Sequence, residues 1–215
     1  MGEEEAAAAK AAATPVVSVD APARRLPCVV SDDVAGAEMA TRHLIELGHR
    51  RLGFVGDEYP NRLGFTWGNL RQQGFLRALR AAGLDAAPDQ IATGRFGLEE
   101  ARELALGLLL GPNRPTAIVA GSDTQALGVL AAARERDLVV PDQVSVVGYD
   151  DIEVARYLGL TTIHQPLFES GREGARLLLD SLEAVPNAGA APARRVLPVS
   201  LVPRHTTAPP PPGPT

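Results

Sequence analysis

A small set of polar residues stands where a ligand could be gripped. Asp150 follows Val144–Val147, a largely apolar run that predicts a buried strand. A carboxylate just past such a strand can accept two hydroxyl hydrogen bonds, the means by which a site selects a polyol such as a sugar or nucleoside. The plainer alternative is a turn residue capping the next segment, and Asp151 reads as its structural partner. Arg71 stands near the start of a predicted helix, an unfavourable end for a cation. Its planar fork suits ring oxygens, hydroxyls or carboxylates, unless it shares a solvated face with Arg77 and Arg80. Asp20 ends the short apolar run Val16–Val19 and either meets a ligand or starts the loop that Pro22 continues. Phe96, in Gly94-Arg95-Phe96-Gly97, could stack on the C–H face of a sugar or pack within the fold. Ser122 and Asp123 follow Ala117–Ala120; Ser122 reads first as a helix cap, and Asp123 as support for ligand residues or for the helix N-terminus. Trp67 is the sole tryptophan, a lid or a loop anchor. His49 reads as a cation at a helix C-terminus.

Catalysis has little support. The sequence has no Gly-x-Gly-x-x-Gly after a strand, no P-loop, no His-Glu-x-x-His and no Gly-x-Ser-x-Gly. One cysteine and four scattered histidines argue against a zinc cluster, and no cofactor is expected. A formal charge of −5 makes the chain a poor match for duplex DNA, whose affinity rests on neutralising phosphates. The lone Cys28 precludes an intramolecular disulfide and suits a reducing cytoplasm. The acidic, Ala-rich start lacks the basic end and apolar run of a secretory signal, and no apolar stretch is long enough to span a bilayer.

The elements that must position these residues follow a strand–helix rhythm. Residues 3–13 predict an N-terminal helix stopped by Thr14-Pro15. A helix capped by Asp32 and Asp33 carries Ala37, Ala40, Leu44 and Leu47 and closes at Gly48. Then come a strand over Leu52–Val55, a helix over about 69–82, a short strand at Ile91–Thr93 and a helix over Leu98–Leu110. The strand at Ala117–Ala120 leads into a helix over Thr124–Arg136, with a Ser122-to-Gln125 capping box. After Asp151 the pattern gives a strand-like crossover at Leu160–Ile163, an amphipathic helix over Leu167–Val185 and a final strand over Val196–Val202. Residues 208–215, Pro-rich, read as a disordered tail. Continuous apolar strands alternating with helices predict an α/β fold with a doubly wound parallel sheet. Ligands of such sheets sit beyond the C-terminal ends of the strands.

Five blocks carry a family resemblance. The run from His43 through Gly48-His49-Arg50-Arg51 to Gly56 resembles the helix–turn–strand of LacI/GalR regulators, and Arg71-Gln72-Gln73-Gly74-Phe75 resembles their Arg-x-x-Gly-Phe. Ser122–Gly128, Val144–Asp151 and Leu160–Pro166 match three further blocks, in the family's order, over roughly residues 14 to 206. The resemblance implies a periplasmic-binding-protein-like core of two Rossmann-like lobes with an effector in the cleft. It implies ligand contacts at Asp20, Arg71, Phe96, Ser122, Asp123 and Asp150. At Ser122 relatives often carry Asn, a departure that clouds the ligand's identity. His164 and Gln165 fall in the lobe crossover. On this reading residues 32–162 form the C-terminal lobe, and 14–31 with 163–202 form the remnant of an incomplete N-terminal lobe. That remnant is expected to expose apolar sheet surface. The implied function is sensing of an effector, a sugar or related polyol, within a cytoplasmic transcription regulator. Such a regulator would be homodimeric and reach operator DNA through a helix-turn-helix head that this chain lacks. The alternative is a free-standing sugar-binding protein of the transporter type; neither reading is an enzyme.

Overall fold

The computed structural model describes residues 14–21, 26–58, 66–183 and 192–211. The helix expected over residues 1–13 lies outside them. The chain divides into two compact units. One comprises Met1–Asp32, Pro60–Trp67 and Pro166–Val199; the other comprises Asp33–Tyr59, Gly68–Gln165 and Ser200–Thr215.

The larger unit is a six-stranded sheet. In chain order its elements are α1 (Asp33–Glu46), β3 (Leu52–Asp57), α2 (Trp67–Ala81), β4 (Ile91–Gly94), α3 (Leu98–Leu110), β5 (Ala117–Ala120), α4 (Asp123–Glu135), β6 (Ser145–Asp150), α5 (Glu153–Tyr157), β7 (Thr161–His164) and β9 (Ser200–Val202). The strand order is β4-β3-β5-β6-β7-β9, parallel except for β9, which pairs antiparallel with β7. From β3 the chain first crosses to β4 on one side and then returns to β5 on the other, so the order reverses between β3 and β5. Strands β3 and β5 are buried along their whole length, as their unbroken apolar runs require. One face packs Val55, Ile118, Ala120 and Val146 against Ala101, Ala105, Leu108, Ala126, Val129 and Ala133 of α3 and α4. The other sets Phe54 of β3 against Phe75 of α2, with ring centroids 5.4 Å apart.

The smaller unit holds a parallel three-stranded sheet of β1 (Ser18–Val19), β2 (Cys28–Ser31) and β8 (Arg194–Leu197), in the order β1-β2-β8, together with α6 (Leu167–Glu183). Val19 and Val196 of its strands, and Phe168, Leu179 and Leu182 of α6, are exposed.

Four expectations are corrected. The strand expected over Val196–Val202 divides into β8 and β9, which join different sheets. Pro198, lacking an N–H, ends the first ladder. Residues 200–202 and 163–165, expected in the remnant lobe, therefore belong to the larger unit. Of the tail expected to be disordered over 208–215, Ala208 is held to the larger unit, its N–H donating to Ser145 Oγ (3.1 Å), where a strap of residues 204–208 ends. Val146 N–H donates to the Thr206 carbonyl (2.8 Å), His205 N–H to the Gly159 carbonyl (2.7 Å) and Thr206 Oγ1 to the Val146 carbonyl (2.7 Å). His49 is buried and favours the neutral form rather than serving as a cation at a helix C-terminus. Its ring pairs with Thr116 Oγ1 (2.9 Å), Ser145 Oγ (3.2 Å) and the Ala208 carbonyl (2.8 Å), and burial lowers its pKa toward the neutral form.

No helix among the described residues is long and apolar enough to cross a membrane.

Candidate functional site

The carboxyl ends of β3, β5 and β6 bring the polar residues together. Arg71, on the first turns of α2, is 4 % exposed and organises the edge. Its Nε donates to Asp33 Oδ1 (2.8 Å) at the start of α1. Its Nη1 donates to the Gly121 carbonyl at the end of β5 (2.6 Å) and to Asp150 Oδ1 at the end of β6 (3.3 Å). The guanidinium lies over the Tyr149 ring, 3.8 Å from its centroid. Burial by itself would favour the neutral form, but Asp33 and Asp150 outweigh it, so the pKa is raised and the group stays charged.

Asp150 keeps a partly exposed side chain and also accepts from Gln165 Nε2 (2.6 Å). Burial pushes its carboxyl up, against the pull of Arg71. The backbone here is strained. Asp150 has φ 117° and Asp151 φ 60°, in the region that non-glycine residues avoid. What holds the turn is visible. Asp151 accepts from Arg204 Nη2 (2.6 Å) and meets His164 Nδ1 (3.1 Å). Asp123, wholly buried, accepts from Thr162 Oγ1 (2.5 Å) and from Ile152 N–H (2.9 Å). Gly148 leaves the room for this, since a Cβ there would sit 2.2 Å from Asp123 Oδ1.

Of the six candidates, Arg71 and Asp150 touch one another. Asp123 has both oxygens engaged in fixing the β6–α5 turn. Ser122 caps α4, accepting from Gln125 N–H (3.1 Å). The other half of the expected capping box is absent. Gln125 instead accepts from Ser122 Oγ (3.3 Å) and donates its amide to Asp57 Oδ1 (3.0 Å). Phe96, 57 % exposed, follows β4 along the same edge of the sheet. Asp20 belongs to the smaller unit, where it follows β1 with φ 60°. Trp67 opens α2 and is half-buried. Sequence reasoning missed Asp33, read as a cap, Gln165, read as crossover, and Asp57, not singled out. The signal for Asp57 was there, since it too ends a buried strand.

Burial pushes the carboxyls of Asp57 and Asp123 up to about 6. Both values exceed the ordinary 3.8, so the folded state holds these protons more tightly than the unfolded chain does. Their stabilising contribution is therefore present at about pH 4 and lost as the pH rises through about 6. Asp57→Asn removes one of the two titrations. Its melting temperature relative to wild type should rise as the pH goes from about 4.5 to 7.5. Scanning calorimetry of the pair across that range checks this, and a pH-independent difference would contradict it.

Residues 41–207 match the family model for the periplasmic binding protein-like domain. The chain is 38 % identical over 165 residues to the HTH-type transcriptional repressor CytR of Escherichia coli (strain K12), covering 76 % of this chain and 47 % of that protein. It thus spans about half the length of that relative. It superposes on the transcriptional regulator CelR–cellobiose complex with a TM-score of 0.80 at 32 % identity, covering 91 % of this chain and 59 % of that one. A LacI family transcriptional regulator from Enterococcus faecium with bound ribose matches with a TM-score of 0.81 at 29 % identity, covering 94 % and 73 %.

Proposed function

Since this chain belongs to the periplasmic binding protein-like domain family, and matches the effector-binding core of LacI-type regulators, we propose that its effector is a sugar or related polyol. The observation that carries this reading is the arrangement around Arg71. One buried guanidinium is flanked by the carboxylates of Asp33 and Asp150, the latter also accepting from the amide of Gln165, at the edge where doubly wound sheets hold ligands. Acceptors outnumber the single fixed cation, which suits a neutral ligand rich in hydroxyl donors. Bound ribose and cellobiose in two similar proteins support the same class. Phe96, beyond β4, would offer an apolar face to such a ligand. Ser122 and Asp123 would hold the contacts in place.

In the whole regulator the effector would bias one of two conformations, and a helix-turn-helix head would make the operator contact as part of a homodimer in the cytoplasm. The net charge of −5 fits a chain that leaves DNA to another segment. We read residues 32–162 as the C-terminal lobe, with 14–31 and most of 163–202 belonging to the N-terminal one.

Thermal-shift and calorimetric titration with D-ribose, D-glucose, D-galactose and cellobiose test the reading. At least one should bind saturably and raise the melting temperature, by the equivalent of about 2.7 kcal/mol at a hundredfold excess over Kd. If none of these sugars binds, the polyol assignment is wrong.

A further inference from the structure

We propose that Asp57 is a specificity-determining ligand residue, its Oδ2 accepting a hydrogen bond from one hydroxyl of the effector where the strand order of the larger sheet reverses. The inference rests on the reading of this edge as the effector site.

Asp57 is the last residue of β3, and β3 and β5 are the neighbours between which the chain changes direction. That reversal is where connections leave on opposite sides and open a crevice beyond the strand ends. The Gly121 carbonyl, which accepts from Arg71, follows β5 on the other side of the same point. Asp57 therefore stands beside the cation of the site although its own side chain bonds elsewhere.

Its environment has a one-sided logic. Asp57 is 4 % exposed; Oδ1 accepts from Gln125 Nε2, whereas Oδ2 is buried with no hydrogen-bond partner among the described residues. The donor on Oδ1 is itself fixed. Ser122 Oγ donates to Gln125 Oε1, which sets the amide so that its nitrogen faces Asp57. Gly68, in the first turn of α2, permits close approach, since a Cβ there would lie 3.0 Å from Asp57 Cβ and 3.2 Å from Oδ2. The chain Ser122–Gln125–Asp57 thus orients one carboxylate oxygen and leaves the other as an acceptor.

Asp123 provides the internal comparison. It too is buried and follows a strand of the same sheet, but both of its oxygens are engaged by Thr162 and Ile152. A carboxylate kept for structure is satisfied on both oxygens. One left half-satisfied carries an uncompensated desolvation cost, which persists where the missing donor comes from a ligand. The donor in question is a hydroxyl, because the ligand class has no other donor to offer.

The experiment is calorimetric titration of wild type and Asp57→Asn. The probe is whichever of D-ribose, D-glucose, D-galactose and cellobiose binds wild type most tightly, together with its monodeoxy derivatives. Asp57→Asn is expected to bind the parent sugar at least tenfold more weakly. It should also lose the discrimination against one particular deoxy sugar that wild type shows. At pH 7.5 without ligand its melting temperature should equal or exceed that of wild type. Equal affinity with the same deoxy profile would overturn the proposal. So would a variant that melts far below wild type or fails to fold, since either would assign Asp57 to the structure. If no sugar binds wild type, the polyol reading falls and this inference with it; if sugars bind but the variant is indistinguishable, only the inference falls.

Discussion

Arg71→Met is expected to abolish detectable effector binding and to lower the melting temperature by roughly 10 °C. The two losses have separate causes. For stability, methionine fills much of the volume but removes the guanidinium that stands between Asp33 and Asp150. Breaking a buried ion pair by removing one partner costs about 3–5 kcal/mol, equivalent to roughly 10 °C in a chain of this size. For binding, the guanidinium ties the starts of α1 and α2 to the ends of β5 and β6. Loss of a desolvated, charged contact weakens binding by at least about thirtyfold. The double variant Arg71→Met with Asp33→Asn separates the two. It should recover part of the melting temperature and none of the affinity. Affinity that survives in Arg71→Met would show that the ligand does not depend on this edge of the sheet.

Gly74→Ala is the second large effect. A Cβ at Gly74 would lie 2.3 Å from the Val34 carbonyl oxygen and 2.8 Å from Ala37 Cβ, both on α1. A backbone carbonyl inside a helix has no rotamer to escape into, so the two helices must separate. Such overpacking costs about 1–3 kcal/mol, and here the upper part of that range is expected, a fall of roughly 5–10 °C. Because Gly74 is one helical turn from Arg71, moving α2 also displaces the guanidinium, and affinity should drop along with stability. The control is Gly107→Ala on α3, where a Cβ meets nothing within 4 Å. It should be neutral or add a few tenths to 1 kcal/mol through helix propensity. Equal melting temperatures for the two variants would refute the packing argument.

The Arg-x-x-Gly-Phe block is thereby explained residue by residue. Arg71 joins the strand ends, Gly74 admits α1, and Phe75 supplies one of the two rings that fill the sheet face beneath. Spacings of this kind were readable because they recur within one helix. The alternation of apolar strands with helices was readable for a similar reason, since burial on both faces writes itself into each strand separately. What escaped was everything joined across long separations in the chain. Arg71 meets Asp33 and Asp150 at separations of 38 and 79 residues, and Gln125 meets Asp57 at 68. Asp33 looked like a cap and Gln125 like half of a capping box, because short-range roles are the ones a linear pattern suggests. Pro198 is the opposite case, a local signal overlooked. It divides one apolar run between two sheets, and attention to its missing N–H would have found the break.

The strap of residues 204–208 has a consequence for how the protein is made. β9 and the strap bond to Val146, Gly159, Thr161 and His49, all synthesised well before them. A nascent chain that has already emerged through β7 therefore still has an unpaired sheet edge, and its His49 still lacks the Ala208 carbonyl. Pairings between distant segments form late and slowly. During translation the carboxyl ends of β3, β5 and β6 are thus assembled on a sheet whose far border stays open until residues 200–208 leave the ribosome.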